Sequence, residues 1–532
     1  MRNKILTFFT IITVIFCLVG CSDDGLDKVF KYDISDNPET LDPQQSNEPN
    51  SDLIIGSVFC GLFQKNADGT LDKAVCEEYS VSEDGLLYNF KLRSDVFWVA
   101  EDFEQQCMAK DFVFGFTRLF LPETNAPHAE DYFCIKNAQR IRNGSEQDLS
   151  KLGVKALGDF ELEITLDYPN SRFLDMLCDP PAMPCNEEFF VKSRGKYGLS
   201  ADCVASNGAF RVTSWTFDPY ATTDINNLIL IRNYKNAQIY GVCPSGLNFF
   251  IEDEEDFIAD FLNEEVTCIA VTNRDKPLIK GDYPYEEFPA VTCGLIFNRD
   301  YKAFQNKDFV KALALLVNRE QVLAGISGFD EAGGVVAKQV MMNGVSYREK
   351  VGLSNLAYDR EEALELLKKA KPALDSKLFT GARIIVPDEI SETAVSYVMQ
   401  EWQRELGFYC VLERLSESEY RRRLESGEYE IALQRLTGKY DSPAAYLEQF
   451  LSKSSANYSG YSNTYFDILL DKAGITAEPA EIFAEAEQAL IDDAGFVPIY
   501  SENVYFFRQK DAEDVFYNPF TGIVDFTKGK RK

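Results

Sequence analysis

The first twenty residues decide where this chain folds. Arg2 and Lys4 precede an apolar run from Ile5 through Phe16 and then small residues, the layout of a secretory signal that is absent from the mature protein. The run ends at Leu18-Val19-Gly20-Cys21, which looks like a bacterial lipobox, a slim segment acceptable to a signal peptidase and ending in a cysteine that receives diacylglycerol. Ser-Asp-Asp-Gly after Cys21 reads as a polar tether. A membrane-spanning helix needs about 20 mostly apolar residues, more than this run supplies, and no later segment is long or apolar enough. The expectation is a signal peptide over 1–20, a lipidated tether over 21–27, and a fold made outside the cytoplasm on the outer face of the membrane.

Charge and absent residues narrow the function. Losing Arg2 and Lys4 takes the net charge from −31 to −33, a field that repels nucleic acid and anionic headgroups. Lys528, Lys530, Arg531 and Lys532 read as a solvated basic tail. His128 is the only histidine, so no His-x-x-x-His metal motif exists and any Ser-His or Cys-His nucleophile would depend on that residue. Neither a Gly-x-Ser-x-Gly elbow nor a phosphate-binding Gly-x-x-x-x-Gly-Lys-Ser/Thr loop occurs. Paired carboxylates remain open as a catalytic route, since 85 acidic residues offer many pairs and spacing selects none. The chain is read as a non-enzyme with no cofactor and no metal site.

Thirteen cysteines become eleven once Cys17 is removed and Cys21 is lipidated. An odd set cannot all pair internally, and no Cys-x-x-Cys occurs. Most read as small buried apolar residues, in keeping with a reducing habitat.

With 532 residues the chain has room for two to four domains. Val29 to Ile34 reads as a strand, ended by Glu39-Thr40-Leu41-Asp42-Pro43 because proline restricts its predecessor. A helical pattern runs from Asp52 to Phe63, closed by the turn Asn66-Ala67-Asp68-Gly69. Tyr88, Phe90 and Leu92, like Leu162, Ile164 and Leu166, alternate with polar residues as half-buried strands do. Val395, Val398, Met399, Trp402 and Leu406 share a helical face, as do Ala363, Leu366, Leu367 and Ala370. Strands at Cys293 to Asn298, Ala382 to Val386 and Tyr429 to Leu433 interleave with these helices, predicting an α/β domain with much parallel sheet. Glu252 to Asp256 reads as a solvated acidic face or a helix start.

A series of segments, in order, resembles family 5 of the extracellular solute-binding proteins, the oligopeptide-, dipeptide- and nickel-binding group. Glu39-Thr40-Leu41-Asp42-Pro43 looks like its opening motif, and Gly61-Leu62-Phe63 with Asn66 to Gly69 resembles "EGL…DG". Ser80 to Leu86 followed by Tyr88 to Arg93 is similar to "VSEDGLTYTFKLR", and Ala109 to Val113 to "TAEDFV". Ser206 to Phe210 resembles "NGAY", Asn233-Tyr234 part of "RNPxYW", Phe297-Asn298 with Asp308 to Arg319 "FN…VRxAL…DR", and Tyr440 to Leu447 "DYNEPTSFL". The "WSDG" motif is replaced by Phe97-Trp98-Val99-Ala100-Glu101, which puts a local turn in doubt.

The resemblance implies an α/β, two-lobed periplasmic-binding-protein-like clamshell (type II, cluster C), with an extra α+β domain inserted in the first lobe. It places lobe I in 28–49, 186–270 and 500–532, the extra domain in 50–185 and lobe II in 271–499. It further implies a monomer that captures peptides between the lobes and delivers them by hinge closure to the permease of an ABC importer. Gln434, Leu436 and Thr437 match positions where backbone groups pair with an extended ligand. In peptide-binding relatives an aspartate opening "DYNEP" holds the α-ammonium; here that position is Lys439, which would repel it. Asp441, two positions on, is a possible substitute, and Lys439 with Arg435 would select an anion, a carboxylate or acidic side chain. His128 falls where relatives place a tyrosine near the ligand. The family also holds nickel and haem binders, but one imidazole suits a metal complex and not a bare ion. A non-peptide solute binder or a ligand sensor on the same fold, and a carboxylate-based secreted enzyme, are the competing readings.

Overall fold

The computed structural model describes residues 28–532 apart from 67–68, 221–225, 253–255, 343, 376–378, 380 and 477. The signal over 1–20, Cys21 and its tether, Ala67 and Asp68 of the turn, and the middle of the 252–256 acidic run lie outside the described residues. No helix among the described residues is long and apolar enough to cross a membrane.

β1 (Val29–Ile34) takes the predicted span. α1 (Pro49–Val58) starts where the Glu48 carboxylate accepts the Asn50 and Ser51 amides and proline takes the first helical position. It stops five residues before the predicted end. Phe59 turns extended, Gly61 passes so near the Leu177 carbonyl that a Cβ would stand 2.8 Å from it, and Phe63 begins a short hairpin instead.

β2 (Cys76–Val81), β3 (Leu87–Leu92), β4 (Val154–Gly158) and β5 (Glu161–Thr165) form an antiparallel sheet in the order β2-β3-β5-β4. The two alternating segments of the sequence are direct neighbours in it, with Tyr88 opposite Ile164 and Phe90 opposite Leu162. Their apolar face packs on α2 (Ala109–Phe120).

β6 (Phe210–Thr216), β7 (Asn227–Arg232) and β8 (Gly246–Ile251) join β1 in a second sheet ordered β1-β8-β7-β6, followed by α3 (Phe257–Leu262) and β9 (Cys268–Thr272). One continuous apolar core runs through both sheets.

The third sheet is built around two long strands, β10 (Tyr285–Phe297) and, near the end of the chain, β14 (Val497–Arg508). Between them come α4 (Arg360–Ala370), β11 (Ala382–Val386), α5 (Glu389–Leu406), β12 (Cys410–Arg414) and β13 (Ile431–Thr437), giving the order β9-β14-β10-β13-β11-β12. Both helices carry the predicted apolar faces, capped by Asp359 and Asp388, and α5 ends on Gly407 in the left-handed conformation. The expectation of much parallel sheet is corrected: only β11 runs parallel to its partners, β12 and β13. The strands that tie this sheet to the rest are antiparallel because β10 and β14 cross together in opposite directions. The 429–433 strand lies two residues later, at Ile431–Thr437.

β10 and β14 each serve two cores. Tyr505 and Phe507 pack with Ile269 and Val271, whereas Val291, Cys293, Val497 and Ile499 pack with α5. The ladder shifts register between Phe288 and Val291, where Pro289 has no amide hydrogen to contribute.

The basic tail is not a solvated terminus. Lys530–Arg531 pairs as a strand with Ala512–Glu513, and Lys530, Arg531 and Lys532 salt-bridge Asp514, Asp511 and Glu513. All eleven described cysteines are unpaired and eight are buried, as small apolar residues would be.

Candidate ligand cleft

β13 is the wall on which the predicted site residues fall. Asn298 donates its amide to the Glu430 carbonyl, so even-numbered residues face β10 and odd-numbered ones turn their backbone the other way. On that other side β11 pairs only with Ile431 and Ala432. From Leu433 to Thr437 no strand covers the edge among the described residues. The Tyr420 hydroxyl takes the Leu433 carbonyl at 2.7 Å and the Gln449 amide takes that of Thr437 at 2.9 Å, leaving Arg435 central on an open backbone edge.

A cavity of about 920 Å³ has a lining that includes Asn273, Arg274, Ser327, Phe329, Asp388 and Arg414. It opens where β11 and β12 end and α5 begins, the crevice position expected for ligands in sheets with parallel strands. Asp388, which caps α5, also acts electrostatically on Arg435.

The predicted residues have different surroundings. Leu436 is packed in the core and offers a ligand nothing but its backbone; Gln434 is buried as well. Thr437 is exposed. Arg435 is not the free cation expected: its Nη2 and Nε lie 2.6 and 2.9 Å from Glu502 Oε2 on β14. Burial opposes its charge, but Glu502 outweighs burial and holds the guanidinium above its ordinary pKa. Lys439 is exposed and makes no ion pair or side-chain hydrogen bond among the described residues.

His128 faces it. The imidazole Nδ1 sits 3.2 Å from Asp131 Oδ2, and this bond, helped by Asp52 and opposed by burial and by Lys439, raises its pKa. Asp441 is committed elsewhere. Its Oδ1 accepts the Met341 amide at 2.7 Å, and Oδ2 lies against Gly69, where a Cβ would stand 2.9 Å away. Burial lifts its pKa to about 6, with the Met341 amide and Lys65 pulling the other way. The expectation that it might replace the missing ammonium partner therefore meets a carboxylate already used to tie loops together.

Sequence reading missed the opposite rim. The Arg172 guanidinium stacks 3.3 Å from the centre of the Tyr440 ring, whose hydroxyl donates to Glu448 at 2.9 Å, and the Ser171 amide donates to the Gly474 carbonyl at 3.0 Å. Lys65 pairs with Asp175 at 3.0 Å. Asp179 beside them keeps accessible surface although protein surrounds it, and burial, eased by Arg172 and Lys65, lifts its pKa to about 6. Nothing in the local pattern around Arg172 marks it, because its partner Tyr440 is some 270 residues away. Among the described residues no three Asp, Glu, His or Cys side chains gather as a metal cage.

Known proteins place this geometry. The chain is 24% identical over 551 residues to the oligopeptide-binding protein OppA of Bacillus subtilis, covering 99% of this chain and 98% of that protein. It is 25% identical to the probable deoxycholate-binding periplasmic protein YgiS of Escherichia coli, covering 89% and 88%. Its fold matches peptide-bound OppA of Listeria monocytogenes with a TM-score of 0.69 at 21% identity, over 95% of this chain and 99% of that one, so the α/β clamshell is the observed fold. The bacterial extracellular solute-binding proteins, family 5 Middle, match residues 70–458, and the chain belongs to this family: it is an extracytoplasmic solute-binding protein of an ABC importer, a transport receptor and not an enzyme.

Proposed function

We propose that the chain captures peptides, laid extended along the open edge of β13, and prefers those that place a carboxylate beside Lys439. The observation that carries this reading is the edge around Arg435, which no strand covers among the described residues and whose ends are capped by Tyr420 and Gln449, with an unpaired cation just beyond it. An extended peptide satisfies such an edge by strand addition, which is indifferent to side chains, so selectivity falls to the charges at the ends. Lys439 repels an α-ammonium and attracts a carboxylate; His128, whose pKa Asp131 raises, gains positive charge as pH falls. Arg435 does not contribute, since Glu502 neutralises it.

In the same reading the lobes divide at 28–49, 186–270 and 500–532 against 271–499, with 50–185 as the inserted domain. Closure about β10 and β14 presents the loaded form to permease subunits, and lipidation of Cys21 holds a monomer at the outer face of the membrane.

Titration calorimetry on the mature domain, with peptides matched except for an acidic residue, an acetylated amine or an amidated terminus, tests the preference. Acidic and amine-blocked peptides are expected to bind more tightly, and Lys439→Asp is expected to reverse the order. An unchanged order in Lys439→Asp sinks the anion preference. Binding of deoxycholate but of no peptide would replace peptide capture by the non-peptide reading that YgiS illustrates.

A further inference from the structure

Asp33 is a buried carboxylate with nothing to hold it. It is the fifth residue of β1, 6% exposed, and neither carboxylate oxygen has a hydrogen-bond partner among the described residues. Asn248 Oδ1, on the adjoining strand β8, is also buried and unpartnered. The parallel register sets Lys31 opposite Asn248 and Asp33 opposite Phe250, so these four side chains share one face of the sheet. Three orphaned oxygens therefore lie on one face of the sheet, at diagonal positions of neighbouring strands, with Asp260 of α3 acting on Asp33.

The neighbours deepen the problem. Beyond burial, the charges acting on Asp33 are Asp260 of α3, Glu252 just past β8, Glu265 after α3 and Asp256 at its start, all acidic. Lys31, the cation on the same face, lies over the Phe250 ring, 5.9 Å from its centre, and does not reach the Asp33 oxygens. An unpaired buried carboxylate costs several kcal/mol, and four more negative charges increase that cost. Something positive would relieve it.

We propose that Asp33 and Asn248 bind a hard divalent cation, Mg²⁺ or Ca²⁺, in the first lobe, apart from the ligand cleft. The donors are all oxygen, which suits these ions and not zinc or copper. No ready-made cage of three acidic, histidine or cysteine groups exists among the described residues and the three oxygens are closed to solvent, so the ion enters only as this face of the sheet opens and brings part of its water shell with it. The surrounding carboxylates raise the local cation concentration and need not touch the ion.

The test is thermal unfolding of the whole mature chain in EDTA, in MgCl₂ and in CaCl₂, with NaCl matching ionic strength. It is run above pH 8, because burial and the acidic neighbours push Asp33 to about 8 and the ion needs the ionised form. The melting temperature of the native chain is expected to rise by several degrees in at least one divalent salt. Asp33→Asn is expected to lose that rise and, in EDTA, to melt above the native chain. Glu265→Gln, a rim change that leaves the buried residues intact, is expected to shrink the rise, and it serves as well if Asp33→Asn fails to fold. No rise in either salt, or an equal rise in both variants, overturns the proposal and leaves Asp33 as a buried carboxylic acid holding its own proton.

Discussion

Arg435 and Lys439 stand four residues apart at the same wall of the cleft, and their fates differ. Arg435 is clamped by Glu502 across β10; Lys439 is exposed and unpaired. The same contrast recurs among buried acids of the first lobe. Asp42, 2% exposed, is gripped by Arg118, whose Nη1 reaches Asp42 Oδ1 at 3.0 Å and Gln44 Oε1 at 2.7 Å, while Asp33, nine residues earlier, has no partner. Paired charges hold the architecture, and unpaired ones leave binding capacity to spare.

Breaking the clamped members should therefore cost stability, and altering the loose ones should change ligand or proton affinity. The largest effect is expected from Arg118→Ala, which strands Asp42 in the core and should lower unfolding free energy by about 3–5 kcal/mol, read by urea titration. Glu502→Gln leaves a half-buried guanidinium with a weaker acceptor, and a loss of about 1.5–3 kcal/mol is expected in the same assay. Asp441→Asn tests a titrating rim. The raised pKa of Asp441 favours the folded state most below about pH 4, and that advantage fades as pH rises through about 6. The variant should flatten this part of the stability-against-pH curve, and an unaltered slope would contradict the assigned environment. Lys439→Met is expected to move stability by less than about 0.5 kcal/mol while weakening acidic ligands. A large stability loss there would erase the distinction between clamped and loose charge.

How far the chain could be read in advance follows the same line. Strands such as Val29–Ile34 and Ala382–Val386 were legible because alternation, flanking turns and capping residues are local signals, and α5 was legible from the apolar face running from Val395 to Leu406. Phe63 misled because an aromatic in helical register is equally at home in the hairpin that follows. The antiparallel run of β10 and β14 could not be seen, since their pairing joins segments two hundred residues apart. The site was legible only as a stretch of chain. Sequence put Arg435 and Lys439 together as cations; Glu502, which separates them, comes from another strand. The Arg172–Tyr440 stack and the Asp33–Asn248 pair escaped for the same reason.

The twin crossing strands have a mechanical consequence. β10 and β14 are hydrogen-bonded to one another on both sides of the Phe288–Val291 irregularity. A strap of two laced ribbons bends readily across its width but resists shear, because sliding one ribbon along the other breaks every rung at once and a one-residue slip reverses all side chains. The pair therefore holds the β13 edge, laddered to β10 from Val291 to Phe297, in one fixed register with the crossing strands.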